Sequence, residues 1–317
     1  MESSSGVEHV SICIDGKLAR HSGLFRERCI FKVHEKLRKL NPDAYEPAVL
    51  AIGPYHRGKI NLQGMEEVKL QYLKSLLARK EETSAKKYVI AMRELEEEAR
   101  ECYAEPVGLT SDEFVLLDGC FIIELFLKLL TDVAIDENDP IFGTYWMGSL
   151  LLLDLILFEN QLPFFVLLKL YALIEDTKPE EFVYIALTFF AFFLIKNIAK
   201  PRILDMSSIH EVQHLLDLLH RSRCPDPFVR TEKRKGSEWE RIQCASQLVK
   251  SGIKFEKAEG SSNLFDITCS KRTLKIPHLT IEDRTEPLFR NLIAHEQYSD
   301  VNQSCYITNY CFLMDCH

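Results

Sequence analysis

The stretch LLLDLILFENQLPFFVLLKLYALI, Leu151 to Ile174, decides the fold of this chain. It is nearly apolar enough for a membrane span, yet its first half carries Asp154, Glu159, Asn160 and Gln161. Lipid offers such groups no hydrogen-bond partners, so a lipid-facing helix is disfavoured. We therefore predict a buried pair of helices with a break between them, in which each polar group has a partner inside the protein.

A second apolar segment, DGCFIIELF, places Asp118 and Glu124 among large hydrophobic side chains. Burial would raise the pKa of such carboxyl groups, and a hydrolase with paired carboxylates could use them. Alternatively they cap helix ends, pair with lysines or bind buried amides. The chain has no G-x-S-x-G, P-loop or G-x-G-x-x-G motif to supply a nucleophile or a phosphate site. We interpret six residues as a structural polar core: Asp118, Glu124, Asp154, Glu159, Asn160 and Gln161.

Composition limits the possible partners and the redox state. The chain has 317 residues, 46% of them hydrophobic, and a formal net charge of -8, which disfavours nucleic-acid binding. None of its ten cysteines forms a C-x-x-C pair, so a structural zinc site of that kind is disfavoured and reduced thiols are expected. The first thirty residues contain no apolar core of a signal peptide, which favours synthesis in the cytosol.

The periodicity of the chain predicts a mainly α fold. Residues 1–28 read as a flexible N-terminal arm, and 29–317 as a single domain that is helical over 29–220. A loop is predicted over 221–237, followed over 238–317 by a helix, a small antiparallel β-meander and a further helix. The segments GIKFEKA, NLFDITC and TLKIPHLTI alternate with period two, and turns at 260–262 and 271–272 would connect them.

The segment HEVQHLLDLLH, residues 210–220, matches the H-E-x-x-H pattern of zinc hydrolases. In that hypothesis His210 and His214 bind the metal and Glu211 activates water. A helical wheel through the segment instead directs both histidines towards water, together with Asp217, and leaves His220 too far along the axis to join them. We therefore predict no catalytic or metal residues here and no cofactor, and treat the segment as a solvated helix face.

Many ordered blocks resemble the plant family catalogued as domain of unknown function 247. They include NPDAYEPAVLAIGPYHRG, MEEVKLQYL, DGCFIIELF, LFENQLPFFVLLKLY, HLLDLLH and LKIPHLTIEDRTEPLFRNLIAHEQ. The resemblance implies a largely helical body with a small β element and no established enzymatic activity. It also implies membrane association through an anchor helix near the C-terminus, and for some grass members a part in pollen–pistil self-incompatibility.

Two departures from the family pattern stand out. The segment before DGCF is a few residues shorter, and the chain ends at His317, before the anchor region that family members usually carry. We therefore expect a non-enzymatic recognition or signalling component with an unknown protein partner and no transmembrane helix, cytoplasmic or peripheral by itself. The alternatives are the zinc-dependent hydrolase and a degenerate, truncated copy without function.

Overall fold

The computed structural model of the chain describes residues 28–105, 113–131, 133, 135–144, 146–178, 180–193, 206–224, 244–259, 264–299 and 305–315. The predicted arm, except for its last residue, and the predicted turn at 260–262 lie outside the described residues. So does the predicted loop from residue 225 onwards, whereas residues 221–223 are helical.

Helices make up most of the described chain, which confirms the predicted mainly α class. In chain order they are α1 (Glu35–Arg38), α2 (Gln63–Arg79), α3 (Lys86–Glu101), α4 (Glu113–Leu130), α5 (Met147–Leu155), α6 (Phe164–Glu175), α7 (Glu180–Phe193), α8 (Leu215–Arg223), α9 (Ala245–Lys250), α10 (Thr285–Tyr298) and α11 (Tyr306–Asp315). Short 3-10 helices occupy Pro42–Tyr45, Ile60–Leu62 and Met206–Glu211.

Helix α4 is the centre of the body. Its side chains are buried continuously over residues 115–128, and it packs against α2, α3, α6 and α7. A helix that is apolar on every side is stable only when it is enclosed by other elements. Gly119 permits the approach of α6, because a Cβ added there would lie 2.4 Å from Cδ1 of Leu170.

The segment Leu151–Ile174 folds as predicted, into the end of α5 and most of α6 with a break at residues 156–163 between them. Pro163 is the residue before α6, where a missing backbone N–H costs no helical hydrogen bond. The four polar residues in the first half of the segment, Asp154, Glu159, Asn160 and Gln161, are all buried. The break therefore lies inside the protein, and its polar groups meet other parts of the chain there.

The small sheet is mixed, and the prediction of an antiparallel meander was wrong in this respect. Strand β2 (Thr268–Ser270) pairs antiparallel with β3 (Thr273–Ile276), whereas β1 (Lys254–Lys257) pairs parallel with β3, in the order β1-β3-β2. Lys271 and Arg272 form the predicted turn with φ values of 47° and 64°, typical of the tight turn of a two-residue hairpin. Strand β3 therefore lies between β1 and β2, whereas a meander would place β2 between the other two strands. Period-two alternation predicts where strands occur but not which strands pair.

Candidate functional site

The carboxylate of Asp154 holds an extended segment of the chain. Its Oδ1 accepts the backbone N–H of Ala48 at 2.8 Å, and its Oδ2 accepts those of Val49 and Leu50 at 2.8 and 2.7 Å. Burial raises the pKa of this carboxyl to about 6, against the opposing effect of the three amides. The acid at the end of α5 thus serves as the partner for a segment that has no strand to pair with.

Asn160 and Gln161 continue this pattern through the break between α5 and α6. The Asn160 side chain accepts from Ile52 N at 2.7 Å and donates to the carbonyls of Leu50 and Asp154, both at 2.9 Å. Gln161 donates to two carbonyls at the end of α5 and accepts from Leu216 N at 3.2 Å. Both amides therefore replace backbone hydrogen bonds that the broken helix cannot make.

Asp118 forms a buried ion pair with Lys69. The two atoms Oδ1 and Nζ are 2.6 Å apart, and Oδ2 accepts from Gly53 N at 2.8 Å. Burial raises the pKa of Asp118, although Lys69 and Arg57 oppose that change. Gly53 has φ +66°, and a Cβ there would lie 2.6 Å from the Gln161 carbonyl oxygen, so only glycine fits this position.

The remaining two acids also have fixed partners. Glu159 accepts from Val33 N at 2.5 Å and pairs with Arg38, and its pKa is lowered because hydrogen bonds from His56, Val33 and Arg38 outweigh burial. Glu124 pairs with Arg79 at 2.7 Å. The six predicted polar-core residues are all buried, and each is hydrogen-bonded to the chain itself. Each of the four acids and two amides therefore has a hydrogen-bond partner within the chain.

The HEVQH segment does not form one helix, so the predicted solvated face was wrong. His210 and Glu211 are exposed in the 3-10 helix, whereas α8 begins only after His214, which is 0% exposed. Asp217 is also buried, at 2% exposure. The break separates the environments of His210 and His214, so the arrangement required for a zinc hydrolase is absent from these described residues.

Reciprocal hydrogen bonds at the start of α8 explain the break. His214 Nδ1 accepts from Asp217 N at 3.1 Å, and Asp217 Oδ2 accepts from Gln213 N at 2.8 Å. This arrangement resembles a capping box, with histidine and aspartate in place of the usual serine or threonine and glutamate, except that the aspartate accepts from Gln213, the residue before the N-cap. The cap turns the helix so that its histidines face inward.

A cluster of titratable side chains forms where α8 meets α10. Asp217 Oδ1 lies 3.1 Å from His295 Nε2, and His220 Nε2 lies 2.9 Å from Glu296 Oε1. The sulfur of Cys224 lies 3.3 Å from His220 Nε2. We refer to Asp217, His220, Cys224, His295 and Glu296 as the histidine cluster; no sequence pattern predicted that these five residues lie together.

Charges in the histidine cluster are paired. Burial alone would lower the pKa of His220, but its hydrogen bonds to Cys224 and Glu296 outweigh burial and raise this pKa to about 10. The pKa of Asp217 is held far below its usual range, against burial, by His295 and Arg221. The pKa of Glu296 is also lowered, because His220 and the first amides of α11 outweigh its burial. The cluster therefore joins α8 to α10 through imidazole–carboxylate hydrogen bonds, and α11 through the amides that Glu296 accepts. Its imidazole, thiol and carboxylate donors are those that could hold a metal ion.

A separate apolar cavity opens between α4, α5 and α7. Its volume is about 230 Å³, and Thr144 and Gly148 lie on its wall at the start of α5. The other lining residues are hydrophobic: Leu125, Leu129, Ile141, Phe142, Leu151 and Phe189. Trp146, which lies between Thr144 and Gly148 in the chain, is 56% exposed. Tryptophan is enriched at protein interfaces, and this exposed indole belongs to the same short stretch of chain as two residues of the cavity wall.

The amino-acid sequence of this chain matches a known protein family. The profile described as a plant protein of unknown function, domain of unknown function 247, matches residues 30–316. The chain belongs to this plant family. The match confirms the resemblance carried by the sequence blocks, and it includes both the polar core and the histidine cluster.

Two curated relatives come from Arabidopsis thaliana. The UPF0481 protein At3g47200 is 32% identical over 313 residues, which cover 91% of this chain and 64% of the relative. A second UPF0481 protein, At3g02645, is 29% identical over 166 residues, or 51% of this chain and 30% of the relative. The chain thus spans less than two thirds of the length of either relative. No solved structure matches it.

The helices of the described residues were also compared with the dimensions of a bilayer. None of them combines the length and the apolar character that a membrane crossing requires.

Proposed function

We propose that this family member is a non-enzymatic recognition component of a plant cell that binds a protein partner through the surface around Trp146. The observation that carries the proposal is the exposed side chain of Trp146, which stands in the chain between two residues, Thr144 and Gly148, that line the apolar cavity. Tryptophan is enriched among the residues that dominate binding energy at protein interfaces, where a neighbouring pocket receives an apolar side chain of the partner.

The buried polar core supports the same proposal because its polar side chains are bonded within the protein. The buried acids and amides that resemble catalytic groups, such as Asp154 and Asp118, are hydrogen-bonded to backbone amides or paired with a cation. A rigid body of this kind keeps surface residues in place, which lowers the entropy lost on binding. Two finer features follow from the family resemblance: attachment to a plant membrane, and a relation to members that act in self-incompatibility.

The test compares the wild-type chain with Trp146→Ala. Each is immobilised and exposed to plant extract, and any protein retained only by the wild type is then purified and its affinity measured directly. We expect a defined partner whose affinity falls at least about tenfold in the variant, as for an interface hot spot. Ile60→Ala, at a position that is 86% exposed and outside the cavity, is the matched control and should leave that affinity unchanged.

The proposal is overturned if Trp146→Ala and the wild type bind every purified partner with equal affinity. Thermal melting of both variants and the wild type separates a lost contact from a lost fold, because Trp146 and Ile60 are exposed and should leave the melting temperature nearly unchanged. Fractionation of the protein from plant tissue tests the membrane attachment: recovery in the soluble fraction alone would contradict it.

A further inference from the structure

Within the histidine cluster, three possible metal-ligand atoms of different chemistry lie close together. His220 and Cys224 are four residues apart at the end of α8, so their side chains lie on the same side of the helix. Glu296 reaches them from α10. One donor atom from each residue, an imidazole nitrogen, a sulfur and a carboxylate oxygen, lies within 4.8 Å of the other two.

We propose that His220, Cys224 and Glu296 bind a zinc ion. Zinc takes imidazole nitrogen, thiolate sulfur and carboxylate oxygen at about 2.0–2.3 Å, which in a tetrahedron separates neighbouring donors by about 3.3–3.6 Å. His220 Nε2 lies 3.3 Å from the Cys224 sulfur and 2.9 Å from Glu296 Oε1. The second distance must lengthen by about half an ångström for the donors to surround one ion, and the Cys224 sulfur and a Glu296 carboxylate oxygen already lie within 4.8 Å of each other.

The Glu296 carboxylate is already oriented for this task. Its Oε2 accepts from the backbone N–H and the hydroxyl of Thr308, at 2.8 and 2.6 Å. Its Oε1 accepts from Ile307 N at 2.8 Å and faces His220. Groups that fix a ligand from behind raise metal affinity, because less orientation is lost on binding. The ion would therefore tie together α8, α10 and the first turn of α11.

The partial exposure of Cys224 gives an ion a route to the site. Cys224 is partly exposed, whereas His220 and Glu296 are buried, so solvent reaches the cluster from the sulfur side. Water completes the four ligands that zinc prefers. Binding displaces the Cys224 thiol proton and the proton shared between His220 and Glu296, which makes the affinity fall as the pH falls. This inference is independent of the proposed partner surface, which involves α4, α5 and α7.

The first experiment measures zinc per chain by plasma mass spectrometry after dialysis against one equivalent of zinc and gel filtration. We expect about one ion in the wild type and a loss of most of it in Cys224→Ser, which keeps the size of the side chain. Cys244→Ser, which changes an exposed thiol outside the cluster, is the matched control and should keep the ion. His210→Ala should keep it too, because His210 is not part of the cluster.

A second measurement needs only the wild-type chain, so it stands even if a variant fails to fold. Cobalt(II) added to the metal-free protein should give the absorption bands of a tetrahedral thiolate complex, and zinc should abolish them. Zinc should also slow alkylation of Cys224, mapped by peptide mass, but not that of Cys244. A wild type that retains no zinc, retention that Cys224→Ser does not alter, or alkylation of Cys224 that zinc does not slow would each overturn the proposal.

Discussion

Oδ2 of Asp154 accepts the backbone N–H of Leu50 at 2.7 Å, across a sequence separation of 104 residues. Together with the amides of Ala48 and Val49, this contact fixes an extended segment against the end of α5. The segment has no neighbouring strand at these amides, so the carboxylate replaces the hydrogen bonds that a sheet would supply.

Asp154→Asn should destabilise the protein by about 2–4 kcal/mol, because an amide offers one acceptor oxygen where the carboxylate offers two and directs a donor at a backbone N–H. Urea unfolding followed by circular dichroism measures the change. Asp43→Asn, an exposed aspartate in the 3-10 helix Pro42–Tyr45, should change the stability by less than about 0.5 kcal/mol. Equal midpoints for the two variants would show that the Asp154 contacts contribute little.

Gly119→Ala should cost about 1–3 kcal/mol, although alanine favours a helix over glycine, because the new methyl group would lie 2.4 Å from Cδ1 of Leu170. Gly64→Ala, where nothing lies within 4 Å, should be neutral or stabilising by up to about 1 kcal/mol. Combining Gly119→Ala with Leu170→Ala should cost less than the sum of the two single changes. Strict additivity in thermal unfolding would argue against the close approach of α4 and α6.

Lys69→Met should destabilise the protein by about 3–5 kcal/mol, since it leaves the buried Asp118 carboxylate without its closest cation. The loss should become smaller at acid pH, where Asp118, whose pKa is already raised by burial, takes up a proton. Adding Asp118→Asn to Lys69→Met should recover part of the stability, because the amide still accepts from Gly53 N. A double variant less stable than Lys69→Met alone would contradict this account.

The pH dependence of stability should include a contribution from His214. Burial and the nearby His295 ring lower its pKa to about 3, whereas the unfolded chain has the ordinary value of about 6.5. Between these two pH values only the unfolded state binds the proton, so stability is complete above pH 6.5 and falls with falling pH at about 1.4 kcal/mol per unit. Asp217, Arg221 and His295 are the charged or titratable groups acting on this ring.

His214→Asn tests that contribution, because asparagine can also cap α8 but does not titrate. Between pH 7.5 and pH 4.5, the free energy of unfolding of this variant should depend on pH less steeply than that of the wild type, by about one proton. At neutral pH the smaller side chain should also lower the free energy of unfolding by about 1–3 kcal/mol. His210→Asn, at an exposed position, should follow the wild-type curve. An unchanged slope in His214→Asn would show that His214 protonates in the folded protein.

The break between α5 and α6 and the burial of its polar residues could be read from the sequence, because four polar groups in an apolar run have no other stable location. The inward turn of α8 could not be read from a helical wheel, which assumes that the helix continues from residue 209 to 220. The spacing of His214 and Asp217 matches a capping box and could have indicated the break. Helical spacing from Leu288 to His295 likewise predicts an inward histidine on α10.

The partners of His220 depend on which helices meet, and no local pattern specifies that meeting. In the sequence, Glu296 and Cys224 are recognisable only as residues near the ends of helices. They become partners of His220 because α8 and α10 pack together. The parallel pairing of β1 with β3 has the same origin, since it depends on the path of the connecting chain and not on the alternation within each strand.

The contact between Asp154 and Leu50 has a consequence for the order of events during synthesis. A ribosome adds about 5–20 residues each second, so roughly 5–20 seconds pass between the emergence of the two partners. During that interval the segment AVLAIG has amides without their carboxylate and apolar side chains without their core. During synthesis this exposed apolar segment is therefore a binding site for chaperones. It becomes unavailable to them only when the end of α5 has left the exit tunnel and can pack against it.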